Sequence, residues 1–200
     1  MTISNTKISL KRNILDSIQA KELLMADSDL VHIFEEATTL VISSYKKGGR
    51  LYIAGNGGSA ADAQHLAAEF VSKLARDRLP LPAEALTTDS SILTAIGNDY
   101  GFDKVFSRQL AGKLQKNDVF LGITTSGDSK NIIEAVKQCK TLNIPSIIFA
   151  GRNGGQVKSI ADYCVVAPGT RTSTIQEIHI LLAHTLCEAV EHEIFFNQPT

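Results

Sequence analysis

His65 and Glu69 stand four residues apart in the stretch AGNGGSAADAQHLAAEF. On a helix they share one face, where they can hold one proton, one ligand or one metal ion between them. Leu66, Ala67, Ala68 and Phe70 surround them and argue against a fully solvated helix, on which such a pair would be a surface contact of little consequence. Gln176 and His184 interrupt a second apolar run. Eight positions apart, they lie about 80° round a helix axis and about 12 Å along it, so both reach one small ion only at full extension. Zinc accepts imidazole nitrogen and carboxylate oxygen, and a glutamine oxygen is a less common ligand. The spacing leaves readings with and without a metal open. His32, His179 and His192 read as packing or surface residues.

Two loops carry the other polar groups. Gly55, Asn56, Gly57, Gly58, Ser59 and Ala60 have the form G-x-G-x-x-A between an apolar run and a helical pattern. Such a turn can bring backbone amides to a pyrophosphate at a helix start. A dinucleotide site also wants an acid about 20 positions on, and the nearest candidate, Asp89, is more than 30 past Gly55. A tight turn that needs glycine only for sterics is the plainer alternative, but Asn56 and Ser59 add polar groups that a turn does not require. The second loop, Thr124 to Asn131, sets Thr124, Thr125, Ser126 and Ser129 at the start of another helical pattern. Hydroxyls and free helix-start amides make a phosphate cradle, whereas a simple cap needs one hydroxyl. Without the G-K-[ST] ending of a triphosphate loop, a single terminal phosphate is the better fit.

The elements that must position these groups alternate between strand and helix. Short apolar runs at Leu51–Ala54, Ala83–Leu86, Val119–Ile123, Ser146–Phe149 and Tyr163–Val166 each break into a Gly, Ser, Asn or Asp cluster. Near-continuous hydrophobicity marks strands covered on both faces. The expected fold is α/β, a doubly wound five-stranded parallel sheet flanked by helices, with ligands beyond the carboxyl ends of the strands. Helical spacing predicts helices from Ser28 to Lys46, from Ala61 to Arg76 and from Ser173 to about Phe196, with a weaker pattern at Leu10, Ile14, Leu15 and Ile18. Residues 1–200 therefore read as one domain, of which about 1–48 form a helical extension suited to cover a partner subunit or the flank of the domain.

Composition narrows the partners. Twenty Lys and Arg against 21 Asp and Glu leave a formal charge of −1, which offers no handle to nucleic acid or to an anionic membrane. Cys139, Cys164 and Cys187 are odd in number and lack a C-x-x-C pair, as buried thiols in a reducing compartment would be. Neither a signal-peptide core nor an 18-residue apolar span is present in the sequence, so a cytoplasmic location is expected.

Four stretches in order, AGNGGSAADAQHLAAEF, ALTTDSSILTAIGNDYGFDKVFSRQ, TTSGDSKNI and IQEIHILLAHTLCEAVE, resemble the sedoheptulose 7-phosphate isomerase (phosphoheptose isomerase) family of the sugar-isomerase (SIS) fold, from about residue 30 to 196. The resemblance implies a homotetramer with sites shared between subunits, one zinc ion per subunit, and conversion of sedoheptulose 7-phosphate to D-glycero-D-manno-heptose 7-phosphate for lipopolysaccharide, capsule or other bacterial surface glycans. It places zinc ligands at His65, Glu69, Gln176 and His184. It also implies sugar contacts at Asn56, Gly57, Gly58, Asn98 and Asp99, with Ser59, His65, Glu69 and Gln176 lining the substrate. The phosphate loop becomes Thr124, Thr125, Ser126 and Ser129.

Aldose–ketose isomerisation moves a proton between C1 and C2 through an enediol, which needs a base, an acid and stabilised oxyanion charge. Glu69 is the expected base and His184 the expected acid. Three departures from the family pattern limit the transfer: Thr124 replaces a common Ser in the phosphate loop, keeping the hydroxyl but adding a methyl group, Lys73 replaces a frequent Arg, and Ser173 and Thr174 replace the usual Pro and basic residue. An Arg fork lost near the site bears on recognition of the sugar chain. Arg171 is the candidate to compensate for a lost guanidinium fork. The competing class is a noncatalytic SIS-type protein that binds the bacterial replication initiator; such relatives lack equivalents of Glu69 and His184, both present here.

Overall fold

A computed structural model describes residues 3–197, with side chains from Asn5 onward. Five parallel strands form one sheet in the order β2-β1-β3-β4-β5: β1 (Leu51–Gly55), β2 (Ala83–Ala85), β3 (Val119–Thr124), β4 (Ser146–Gly151) and β5 (Tyr163–Ala167). β1, β3 and β4 are buried along their whole length, hence their unbroken apolar runs.

Alternate strand residues feed two cores, because successive side chains leave a strand on opposite faces. Leu51, Ile53, Leu121, Ile123, Ile147 and Phe149 pack on one side with α2 (Ser28–Lys46), α3 (Gly58–Val71) and α7 (Thr172–Glu191). Tyr52, Ala54, Phe120, Ile148 and Ala150 pack on the other, under α5 (Ser107–Lys113) and α6 (Lys130–Leu142). The chain leaves β1 for β2 on one side and returns to β3 on the other, so the loops after β1 and β3 diverge at a topological switch point.

Helix ends differ from the periodicity in informative ways. α2 begins where expected, with Asp27 capping the Leu30 N–H at 3.0 Å. α3 stops at Val71 rather than Arg76, because the carbonyls of its last turn turn to the Arg78 guanidinium. α7 gives way after Glu191 to one turn of π-helix, His192–Phe196. α1 (Ile3–Ala26) is longer than its weak pattern suggested and lies along α7, burying Ser17 and Ala20 while Ile8, Leu10, Ile14, Leu15, Leu23 and Met25 stay exposed. α4 (Ser90–Tyr100) and α5 escaped the periodicity. α4 is 11 residues long and buries no residue fully, and α5 has only 7 residues. Asp89, weighed above as a ribose acid, instead caps α4 by accepting the Ile92 N–H at 2.9 Å.

Candidate active site

α3 and α7 lie side by side, and their facing residues fall in register from the start of each helix. At the first turn Gly57 takes φ +57° and ψ −119°, a conformation costly for any residue with a Cβ. Next to it the Gln176 amide packs on Gly58, where a Cβ would sit 2.3 Å from Gln176 Nε2. Two turns on, His65 Nε2 and His184 Nε2 are 2.9 Å apart, their rings edge to face at 5.1 Å. Glu69 Oε1 lies 3.5 Å from His65 Nε2. One proton held between two imidazole nitrogens beside a carboxylate is a unit that can both give and take protons.

Asp62, one turn before His65, presents a buried Oδ2 with no hydrogen-bond partner. Burial raises its carboxyl above the usual range, and His65 pulls the other way. Its i, i+3 spacing from His65 was a legible signal that sequence reasoning passed over.

The loop after β3 forms a compact hydroxyl cluster. Thr124 Oγ1 lies 3.0 Å from Ser129 Oγ and 3.5 Å from Ser126 Oγ, and it accepts the Gly127 N–H at 3.2 Å. Ser126 Oγ accepts the Asp128 N–H at 3.1 Å. Ser129 is the N-cap of α6, yet its hydroxyl does not cap the helix. The first amides of α6 have no partner inside the helix, so hydroxyls and amides together can receive an anion. Thr125, half-buried, completes the loop.

Asn131, missed from the sequence, ties the two loops together. Its Nδ2 donates to Asn56 Oδ1 at 2.8 Å, and Asn56 Nδ2 donates to Asn131 Oδ1 at 2.9 Å. This reciprocal pair leaves each amide one N–H and one lone pair for a ligand. Ser59 is buried in the first turn of α3. Asn98 and Asp99 sit exposed near the end of α4 and bond to each other at 2.8 Å; among the described residues no hydrogen bond joins them to either loop. Lys73 forms a surface pair with Asp77 at 3.6 Å. Arg171, the expected substitute for a lost arginine, is engaged with Asn13 and Asp16 of α1, while Ser173 is exposed and Thr174 buried.

The SIS domain pattern matches residues 11–151. Phosphoheptose isomerase of Aneurinibacillus thermoaerophilus is 48% identical over 189 residues, 94% of this chain and 96% of the relative. Phosphoheptose isomerase 2 of Campylobacter jejuni is 48% identical over 193 residues, 96% of each chain. The chain belongs to the phosphoheptose isomerase family. Among solved structures, phosphoheptose isomerase GmhA from Neisseria gonorrhoeae superposes with a TM-score of 0.87 at 41% identity, covering 93% of this chain and 98% of that one. A phosphoheptose isomerase from Francisella tularensis gives 0.89 at 34% identity, covering 96% and 100%.

For a family member, the donor set at the α3–α7 contact is chemically suited to zinc. Two imidazoles and a carboxylate are the ligand types of many catalytic zinc sites, and bonds of about 2.0–2.1 Å at tetrahedral angles put ligand nitrogens roughly 3.3 Å apart, close to the His65–His184 separation. The imidazole pair here shares a hydrogen bond. Among the described residues no group of three or more His, Cys, Asp or Glu side chains stands arranged around a common metal position. Gln176, the fourth expected ligand, contacts Gly58 at the first turn of α3.

Proposed function

We propose that this phosphoheptose isomerase family member converts D-sedoheptulose 7-phosphate to D-glycero-D-manno-heptose 7-phosphate, the entry to heptose for a bacterial surface glycan. The observation that carries this reading is the juxtaposition of Glu69 with the His65–His184 pair on a helix opening from the switch-point loop that Asn131 ties to the hydroxyl cluster. The cluster receives the terminal phosphate, and that remote binding energy fixes the reacting end of the sugar.

At that end Glu69 takes the proton from C1 of the ketose as the enediol forms and returns it to C2. His184 is the acid toward the oxygen on which negative charge develops. Asn56 and the backbone of Gly57 and Gly58 meet the sugar hydroxyls. Zinc, held by His65, Glu69, Gln176 and His184, would polarise the sugar oxygens as a Lewis acid. The working form is a cytoplasmic homotetramer with sites shared between subunits. In support of shared sites, the apolar face of α1 is uncovered in one chain, and among the described residues Asn98 and Asp99 bond to each other and to neither loop of the site.

The test incubates purified protein with sedoheptulose 7-phosphate in deuterated water and follows aldoheptose phosphate and deuterium incorporation by NMR, with metal content measured alongside. Glu69→Gln should lower turnover by about 10² or more, the usual scale for a general base, with binding retained. Retained zinc with near-native exchange in that variant moves the base role to His184. Sugar phosphate binding with no product from the parent protein supports the noncatalytic reading.

A further inference from the structure

The end of α3 is held by a buried ion pair that the proposed chemistry does not use. Arg78 and Glu191 are 1% and 4% exposed, with Arg78 Nε 2.8 Å from Glu191 Oε1. Arg78 Nη2 donates to the Glu69 carbonyl at 2.7 Å, and Nη1 donates to the carbonyls of Phe70 at 2.6 Å and of Ser72 and Leu79 at 3.1 Å. The carbonyls of Glu69 and Phe70 belong to the last turn of α3, whose acceptors lack partners inside the helix. Glu191 Oε1 also accepts the Leu74 N–H at 3.0 Å. The guanidinium carbon lies 5.7 Å from the centroid of the Phe195 ring. Every side of this arginine is therefore engaged.

Glu191 is poorly placed for its own helix. A carboxylate at the C-terminal end of α7 opposes the helix dipole, and burying it carries a desolvation penalty. Its position makes sense through Arg78. Glu191 follows His184 by seven residues, two turns along one face of α7, while Arg78 grips the backbone of Glu69 itself. We infer that Arg78 and Glu191 form a positioning unit that sets the Glu69 end of α3 against the His184 end of α7. The planar fork of arginine fixes direction as well as distance, which the single ammonium of lysine cannot do. Buried ion pairs are weak sources of stability but can specify one packing register; here that register is the one joining base to acid. The inference rests on the base role of Glu69 proposed above.

The experiment compares Arg78→Lys and Glu191→Gln, each alone and combined with Glu69→Gln, by kcat, KM, melting temperature and oligomeric mass of the full-length protein. Each single variant should lower kcat by about 10- to 100-fold, the scale of a misplacement near 1 Å, with KM within about threefold of the parent value, since the phosphate cradle is untouched. In the Glu69→Gln background the same changes should cost less than about threefold more, because the group they position is already disabled. A loss of general packing would instead lower kcat equally in both backgrounds, and that result overturns the proposal. If Arg78→Lys does not fold, Glu191→Gln decides alone; kcat within twofold of the parent beside an inactive Glu69→Gln removes the pair from catalysis and leaves the base role standing. Near-native turnover of Glu69→Gln removes both.

Discussion

Replacing Gly58 with alanine should separate stability from turnover. A Cβ at this position would lie 2.3 Å from Gln176 Nε2 and 3.2 Å from its Cδ, and no backbone atom is among its near neighbours. Ordinary contact begins near 3.5 Å, so the amide must withdraw by about 1.2 Å. Gln176 is the flexible part, and an off-rotamer shift of such a side chain costs about 0.5–1.5 kcal/mol. Against this, alanine is favoured over glycine in a helix and narrows the unfolded ensemble, worth about 0.4–1 kcal/mol. The two terms nearly cancel, so the melting temperature should move by less than about 4 °C in a chain of this size. Turnover should not cancel. A side chain displaced by about 1 Å at a reacting centre can cost on the order of 10²-fold, so kcat/KM for sedoheptulose 7-phosphate, followed by NMR, should fall by about 10- to 100-fold beside a nearly unchanged melting curve. A variant with kcat/KM within threefold of the parent would show that the contact between Gln176 and Gly58 has no part in placing the reacting groups.

Thr124→Val keeps shape but removes the hydroxyl that meets Ser129 and accepts the Gly127 N–H; KM for the phosphorylated sugar should rise about tenfold or more, as expected for losing one hydrogen bond to a charged group, and unchanged KM would take Thr124 out of the cradle. Asn131→Ala leaves the Asn56 amide without its partner and should destabilise the fold by about 1–3 kcal/mol, read as a lower denaturant midpoint; an unchanged midpoint would mean that the pair does not hold the loops together. His179 is buried, with Nε2 2.8 Å from the Ala150 carbonyl oxygen and Nδ1 unpartnered, and burial pushes its imidazole down to about 4, against only a partial opposing pull from that hydrogen bond. The unfolded chain takes up a proton below about pH 6.5 that the folded chain refuses, so this residue's contribution is full above pH 6.5 and is lost as pH falls toward 4, by up to about 3 kcal/mol. Denaturant midpoints at pH 7 and pH 4.5 should show that loss in the parent protein and much less of it in His179→Gln; equal losses would assign the acid sensitivity elsewhere.

Read alone, the sequence determined the elements that depend on local pattern. Short apolar runs located all five strands to within two residues at each end, most plainly β1, β3 and β4, because a parallel strand buried on both faces has little polar alternation to obscure it. The i, i+4 spacing put His65 and Glu69 on one face, and clustered hydroxyls marked the loop after β3. The comparisons bear out the family that the four motifs suggested.

What only the tertiary structure decided is which face meets which. His65 meets His184 across 119 residues, and Asn56 meets Asn131 across 75. Neither pair has a local signature, because periodicity reports that a helix has a face but not what lies opposite it. The end of α3 was equally hidden: the helical pattern continues to Arg76, but the backbone turns at Val71 because Arg78, outside the helix, reaches back to its final carbonyls while paired with Glu191 from the far end of the chain. Intrinsic helix propensity amounts to a few tenths of a kcal/mol per residue, and a buried guanidinium that bonds through all three of its nitrogens outweighs it.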